Sequence, residues 1–181
     1  MSLLFGKEDI SDSKNTEEEE KEWLEQNTYT LYEEIHSGSG AKPRKENVFI
    51  IGKNDSIHSK VARIILILEE RKETALLAGK SNSIGKMLSV SEIVKEKVNP
   101  NIKTTLKQYN KLTKQLSLTN PNYKVKKNLE QSNKDSTNST AENFKLIYEP
   151  KVYLLPVLYL LLVPTQQVLL HVDDWTYQAP I

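Results

Sequence analysis

Two turns hold the residues whose types and spacing could do chemistry. The first is Gly52-Lys53 and the second is Gly79-Lys80-Ser81, and each directly follows a short apolar run. A glycine turn that leads from a strand into a helix leaves the first backbone N–H groups of the helix free to bind an anion such as phosphate. The two turns therefore predict a phosphate-binding site, although a pair of ordinary capped turns with exposed lysines would give the same pattern.

The second turn does not fit the P-loop of nucleotide hydrolases, which reads G-x-x-x-x-G-K-[ST]. In the register that ends at Ser81, Thr74 stands in the place of the first glycine. In the register that ends at Met87, one residue too many separates the two glycines, and a methionine replaces the hydroxyl residue. The sequence therefore argues against an ATP- or GTP-hydrolysing enzyme.

No other group of residues forms a recognisable catalytic or metal-binding pattern. The chain contains no cysteine, and His36, His58 and His171 are scattered without helical or hairpin spacing. A structural zinc site needs four clustered ligands. No acidic pair stands out from the glutamate runs, and no nucleophile lies at a readable spacing from a base. We therefore expect no catalytic residue, no metal and no cofactor, and a protein that is not an enzyme.

Charge is segregated along the chain, although the net charge of all 181 residues is only +1. Residues 1–41 contain 3 basic and 11 acidic residues, and residues 128–181 contain 3 and 6. The middle segment, 42–127, contains 19 basic and 7 acidic residues, a net charge of +12. A basic unit between acidic flanks is typical of a polyanion binder. Charge alone leaves open a lysine-rich surface that is merely solvated.

The turns belong to a strand–helix–strand–helix pattern. Residues 48–51 and 74–78 are apolar runs of strand length. The first helix follows Ser56, a good N-cap, and its apolar stripe comprises Ile57, Val61, Ile64, Ile65 and Leu68. The second helix can be capped by Ser83, and its expected buried stripe comprises Ile84, Met87, Leu88 and Val94. Because parallel strands of such a unit end at the same sheet edge, the two turns are expected to be neighbours in space.

Residues 102–118 fit either a strand or a helix. The alternation predicts a strand that places on one face Lys103, Lys107, Tyr109 and Lys111. A helix is supported by the spacing of Leu106, Tyr109, Leu112 and Leu116. The paired threonines and the preceding proline fit a strand better, so we predict a strand.

The rest of the chain divides into low-complexity and apolar segments. Residues 119–143 are rich in Asn, Ser, Thr and Lys and predict a disordered loop. Residues 152–163 are apolar, but 12 residues are too few for a membrane span of about 20. We expect a buried strand there, which could pair with residues 166–172 as a hairpin, and no membrane association.

We expect two units in the chain. Residues 1–41 form an acidic N-terminal arm that is partly disordered, above all in residues 1–20. Within the arm Leu24, Leu31 and Ile35 have helical spacing and predict a short helix, or an extended arm, that packs onto the domain. Residues 42–181 form the domain itself, with the disordered insertion at about 119–143.

Several segments resemble the Alba superfamily, whose pattern is a strand ending in Gly-Lys, a glycine-rich turn, Ile-x-Lys and a Glu-Ile helix. The matching segments are Ile50-Ile51-Gly52-Lys53, then residues 76–81 with Ile84, Lys86 and Met87, and then residues 90–95. More narrowly, residues 86–95, 109–113 and 155–172 are similar to the Alba-like Pop protein of yeast ribonuclease P and RNase MRP. The resemblance covers residues 48 to about 113 and 155–178. Ser81 departs from it, because many members have a second glycine there.

The resemblance implies both a fold and a function. The implied fold is α/β, an Alba-like two-layer βαβαββ sandwich with an additional C-terminal strand. The implied function is that of a non-catalytic, RNA-binding subunit of a ribonuclease P/MRP-type ribonucleoprotein, in tRNA 5′-end and rRNA processing. Its expected partners are a stem-loop domain of the structured RNA, a second Alba-like subunit as heterodimer, and other subunits of the particle. Catalysis is left to the RNA, and the expected location is the nucleus, in particular the nucleolus.

Lysines and arginines around the two turns are the predicted RNA contacts. By position, Lys53 matches the family's lysine after the first strand, and Lys80 and Lys86 match its basic turn. The complete set of predicted RNA-binding residues is Lys53, Lys80, Ser81, Lys86, Arg44, Lys45, Lys60 and Arg63. The alternative is a protein–protein interaction module that uses the apolar C-terminal run as its interface and whose basic surface is only solvated.

Overall fold

The computed structural model describes residues 13–37, 42–103, 105–117, 152–164 and 172–179. The helices are α1 (Ser13–His36), α2 (Ile57–Leu66), α3 (Ile84–Lys97) and the short α4 (Pro100–Lys103). The strands are β1 (Val48–Ile50), β2 (Ala75–Lys80), β3 (Lys107–Ser117), β4 (Tyr153–Val163) and β5 (Thr176–Gln178). A π-helical turn, Ile67–Arg71, extends α2, and 3-10 turns precede β1 and α3 at Lys45–Asn47 and Ser81–Ser83.

The strands form one mixed sheet in the order β1-β2-β4-β3-β5. β1 and β2 are parallel, with Phe49 opposite Leu77, and the remaining neighbours are antiparallel. A parallel pair needs a crossover connection, which α2 supplies. The predicted Alba-like α/β fold is therefore confirmed, including the order of strands and helices along the chain.

One face of the sheet is covered by α2 and α3. Alternate residues of the strands point to this face, and they pack against the apolar stripes of both helices. The buried side chains of this core include Phe49, Ile51, Val61, Ile64, Leu68, Leu77, Met87, Val90, Val94, Leu160 and Leu162. The predicted stripe of α3 was wrong at Leu88, which is exposed, because Val90 rather than Leu88 turns toward the sheet.

The other face of the sheet is covered by α1, which adds a third layer to the expected two. This core contains Leu24, Tyr32 and Ile35 from the helix. The sheet contributes the opposite alternation of residues, Leu76, Ala78, Val157, Tyr159, Leu161 and Val163, together with Trp175. The predicted packing of residues 21–35 onto the domain is confirmed. The expected disorder was wrong for residues 13–20, because the helix begins at Ser13. Residues 1–12 of the expected disordered arm lie outside the described residues.

A buried polar network fixes the C-terminal end of α1 to the start of β2. The Tyr32 hydroxyl lies 2.9 Å from Thr74 Oγ1, which lies 2.8 Å from His36 Nε2. The Nδ1–H of His36 donates to the Tyr32 carbonyl at 2.8 Å. Asn47 Nδ2 donates to the Tyr32 hydroxyl at 3.0 Å and to Glu73 at 2.9 Å. Burial lowers the pKa of His36, although the bond to the Tyr32 carbonyl and the nearby Glu73 carboxylate act in the opposite direction.

Residues 107–117 form the predicted strand, but the strand is shorter than expected. Lys103 ends α4 and is not part of β3, because residues 100–103 form a helical turn before the strand begins at Lys107. β3 pairs along its whole length with β4, from Lys107 opposite Val163 to Ser117 opposite Tyr153. The predicted partner of β4, residues 166–172, falls almost entirely outside the described residues, as does the predicted loop over 119–143.

Candidate nucleic-acid interface

The two glycine–lysine turns meet at one edge of the sheet, as predicted. The side chain that joins them is Lys86, in the first turn of α3. Its Nζ donates to the Lys53 carbonyl and to the Asp55 carbonyl, both at 2.6 Å. The Lys86 ammonium therefore holds the β1–α2 turn against the start of α3, and it contributes positive charge while it is bonded to backbone oxygens.

The first turn is closed by Asp55, which the sequence interpretation did not single out. Its Oδ2 accepts the Gly52 N–H at 2.9 Å and lies 3.2 Å from Lys60 Nζ. Burial raises the pKa of the Asp55 carboxyl, but these bonds and the ammonium groups of Lys60 and Lys86 outweigh it, so the pKa is lowered. Lys60 also donates to the Ile50 carbonyl at 2.9 Å. An aspartate in an Asn-Asp-Ser turn is a recognisable sequence signal for such closure.

The second turn is tightly wound. Ser81 has a φ of 47°, in the left-handed region. Glycine adopts this conformation freely, whereas most L residues apart from asparagine and aspartate avoid it. The Lys80 N–H donates to Ser83 Oγ at 3.0 Å, and that hydroxyl donates back to the Lys80 carbonyl at 2.9 Å. Ser83 stands at the predicted N-cap position of α3, but its side chain makes no capping bond to the helix, because the hydroxyl bonds backward and closes the 3-10 turn. Ser56, in contrast, caps α2 as predicted and accepts the Ser59 N–H.

Glycines leave the backbone of this edge open to close approach. A Cβ on Gly79 would lie 3.3 Å from Met87 Cβ, so the glycine lets α3 approach β2. A Cβ on Gly85 would have no heavy atom within 4 Å, so no packing constraint within the chain explains a glycine there. An exposed glycine in a helix costs stability relative to alanine. Gly85 therefore leaves the backbone of the first turn of α3 bare where a ligand can reach it.

Lys80 is paired rather than free. Its Nζ forms an ion pair with Glu20 Oε2 in α1, and the other carboxylate oxygen, Oε1, accepts from the Ser117 hydroxyl. The side chains of Lys80 and Glu20 are only 24% and 14% exposed. Lys53, in contrast, is exposed, and the structure records no partner for its ammonium within the described ranges.

The predicted basic residues divide into two groups. Lys53, Lys60, Lys80, Ser81 and Lys86 lie at the edge where β1 and β2 end. Arg44 and Lys45 precede β1 and lie at the opposite edge, where Arg44 is 3.7 Å from Glu73 and Lys45 Nζ is 5.3 Å from the centre of the Tyr29 ring. Arg63 lies between them on α2, 5.4 Å from the centre of the Phe49 ring.

We call the edge of the sheet where the two glycine–lysine turns meet the turn edge. Next to it, strands β3 and β4 expose an apolar patch. Its members share the face of the sheet that carries α2 and α3, but they project past those helices. They are Leu112 (70% exposed), Leu116 (68% exposed), Leu154 and Pro156. Leu116 lies opposite Leu154. A shallow groove on this surface is lined by Leu112, Thr113, Lys114, Leu154 and Pro156. We name the four apolar residues Leu112, Leu116, Leu154 and Pro156 the hairpin patch.

Other classes of site receive no support from the described part of the chain. No group of three or more histidine, aspartate or glutamate side chains there could hold a metal ion. Among the same residues, no helix combines the length and the apolarity needed to cross a membrane.

The protein is a mixed α/β domain in which two glycine–lysine turns meet at one edge of the sheet and a strand pair exposes apolar side chains. Comparison with protein families supports a known superfamily, because the family model described as Alba matches residues 47–115. The match includes β1, α2, β2, α3 and nearly all of β3, and so both turns. No curated protein matches the chain. An Alba domain suggests a function in binding nucleic acid or protein.

Proposed function

We propose that this protein is a non-catalytic RNA-binding subunit of a ribonuclease P/MRP-type ribonucleoprotein, acting in tRNA 5′-end and rRNA processing in the nucleus, in particular the nucleolus. The observation that carries the RNA-binding part is the meeting of the two glycine–lysine turns inside the Alba match. The assignment to this particle rests on the resemblance of residues 86–95, 109–113 and 155–172 to the Alba-like Pop protein.

The geometry of the turn edge supports phosphate binding in three ways. It presents the N-terminal turn of α3, whose backbone N–H groups favour anions. It leaves Gly85 without a side chain, so that a phosphate can approach the backbone. It places an exposed cation, Lys53, beside that turn. RNA helices are recognised mainly through shape and phosphate contacts, which suits lysines and backbone donors better than a pocket for one base.

The hairpin patch supports the second part of the proposal, a heterodimer with another Alba-like subunit. Two exposed leucines, Leu112 and Leu116, with Leu154 and Pro156 opposite, form a contiguous apolar surface on regular strands. Monomeric proteins rarely expose such patches unless they are used for association. A partner with the same fold could cover it with an equivalent hairpin, which leaves the turn edge open for RNA.

Native purification of the tagged protein from its own cells tests the proposal. We expect one dominant RNA of the ribonuclease P or MRP type, together with a second small Alba-like chain. Co-purification of protein partners without RNA would contradict RNA binding. Recovery of an unrelated structured RNA would contradict only the assignment to this particle.

The hairpin patch also favours a second candidate function, a protein–protein interaction module whose basic surface is solvated. Two variants separate the candidates. Lys53→Glu should abolish RNA recovery and leave the protein partner bound if the protein binds RNA directly. Leu112→Lys with Leu116→Lys should release the protein partner in either case. RNA recovery that survives Lys53→Glu but is lost together with the partner would favour the interaction module.

A further inference from the structure

The acidic helix α1 contacts the turn edge through the side chain of Glu20, which forms an ion pair with Lys80. Glu20 belongs to a run of four glutamates, Glu17–Glu20, and its carboxylate bonds both Lys80 at the end of β2 and Ser117 at the end of β3. These residues are 60 and 97 positions away in the chain. Glu18 and Glu19, its neighbours in the helix, are exposed.

The direction of the Lys80 side chain explains this contact. Side chains alternate along a strand, so Lys80 shares the face of Leu76 and Ala78, which α1 covers. The ammonium therefore extends toward α1, while the backbone of the same turn remains at the edge with Lys53 and α3. Both oxygens of Glu20 are engaged there, and its side chain is 14% exposed.

This pairing has a consequence for any polyanion that binds the edge. An ammonium group that already bonds a carboxylate cannot give its full charge to a phosphate unless the first pair is broken. The Glu20 carboxylate thus occupies, from within the chain, the position that a phosphate oxygen would take on Lys80. The rest of α1 is held by Leu24, Ile35 and the Tyr32 network, so the carboxylate stays in place.

We propose that Glu20 is an internal competitor of RNA for Lys80, and that RNA binding displaces its carboxylate from the basic edge. The proposal rests on RNA binding at the turns, the function proposed above. The contact lowers the affinity for short or poorly matched polyanions, because only a ligand that gains enough contacts elsewhere can break the ion pair. The Glu20 contact is then an autoinhibitory element, and α1 is more than a passive cover of the sheet.

The test compares full-length variants by titration with a fluorescein-labelled RNA hairpin. Glu20→Gln should tighten binding about tenfold, the change that about 1.4 kcal/mol produces. It should also steepen the slope of log affinity against log salt by about 0.7–0.9, since Lys80 gains a phosphate contact. Glu19→Gln is the matched control, because it removes the same charge from an exposed neighbouring position and should change affinity by less than about threefold.

A double-mutant cycle tests whether Glu20→Gln changes RNA affinity through Lys80. In a Lys80→Met background, Glu20→Gln should no longer tighten binding, because the residue it competes for is absent. Equal effects of Glu20→Gln and Glu19→Gln, or a full effect without Lys80, would overturn the proposal and leave RNA binding intact. Should the wild-type chain not bind the hairpin, the proposed function itself would fail and the competitor role with it. Should Lys53→Glu not weaken binding, RNA would not bind at the two turns, and the competitor role alone would fail.

Ser117→Ala covers the case in which Glu20→Gln does not fold. It removes one of the two contacts to the Glu20 carboxylate and changes no charge. We expect it to tighten RNA binding about two- to threefold, since a weakened pair is easier to displace. Unchanged or weaker binding by a folded Ser117→Ala chain would count against the competitor role.

Discussion

At the scale of single residues, the strained backbone at Ser81 yields a direct test. Its φ of 47° lies in a region that costs L residues roughly 1–2 kcal/mol and costs glycine little. We expect Ser81→Gly to raise the free energy of unfolding by about 0.5–1 kcal/mol, after the higher entropy of glycine in the unfolded chain is offset. Chemical denaturation measures the change. Ser81→Ala keeps the strained conformation and should be no more stable than the wild type, so an alanine variant more stable than the glycine variant would contradict this account.

His36 makes the anchoring of α1 dependent on pH. Its pKa in the folded protein is lowered by burial, so between that pKa and the unfolded value of about 6.5 the unfolded chain binds more protons. Stability is then complete above about pH 6.5 and is lost as the pH falls toward the folded pKa, by about 1.4 kcal/mol per unit of pKa difference. We expect the wild type to lose more unfolding free energy between about pH 7.5 and about pH 5.5 than His36→Gln does. Parallel losses in both chains would show that folding does not lower the pKa of His36.

The residue types at the turns could be read from the sequence, but their partners could not. The closeness of Gly52-Lys53 to Gly79-Lys80 follows from the parallel pairing that a βαβ unit imposes. No local pattern connects Glu20 with Lys80, because the contact depends on which face α1 covers. Arg44 and Lys45 were grouped with the turns by charge alone, and they lie at the opposite edge because they precede the strand that the turn follows.

At the scale of elements, α1 contributes one whole layer of the molecule. Leu24 is 2% exposed against the sheet, whereas Trp23, its neighbour in the helix, is 37% exposed. We expect Leu24→Ala to lower the free energy of unfolding by about 2–4 kcal/mol, because it leaves a cavity in the core. Trp23→Ala should cost less than about 1 kcal/mol and serves as the control in the same denaturation experiment. Equal small losses in both variants would show that α1 is not firmly packed.

Strand β3 shows that sequence periodicity does not predict which of its residues are buried. Leu112 and Leu116 are spaced as helix neighbours, which favoured a helix, but both are exposed on the hairpin. Gln108 and Gln115 are buried instead, an arrangement that amphipathic patterns do not predict. Apolar residues that stay exposed, as Leu112 and Leu116 do, give no periodic signal that separates them from residues of the core. The same reason explains why the alternative function placed its interface in the whole apolar run 152–163, most of which is buried, whereas only Leu154 and Pro156 of that run belong to the hairpin patch.

In the whole molecule, the acidic N-terminal segment and the basic middle segment, which are separate along the chain, are in direct contact. The acidic helix α1 and the basic turn edge meet through Glu20 and Lys80, so the small net charge of +1 hides two opposed surfaces within one fold. For the proposed RNA binding we therefore expect the affinity to depend on the local edge and not on the overall charge. Salt dependence measures that local contribution, because it counts the counterions that are released when phosphates bind.

We expect a substitution at Lys53 to change the salt dependence of RNA binding most clearly. Lys53 is exposed, it follows β1 directly, and its backbone is held by Lys86. We expect Lys53→Gln to weaken binding of an RNA hairpin and to lower the slope of log affinity against log salt by about 0.7–0.9, the contribution of one phosphate contact. Lys97→Gln is the matched control, since Lys97 is an exposed lysine at the far end of α3, about 20 Å from the turn at the rise of a helix. Identical slopes for the two variants would mean that RNA is held by the general positive field of residues 42–127, whereas a loss confined to Lys53→Gln would locate the phosphate contact at the edge where the two turns meet.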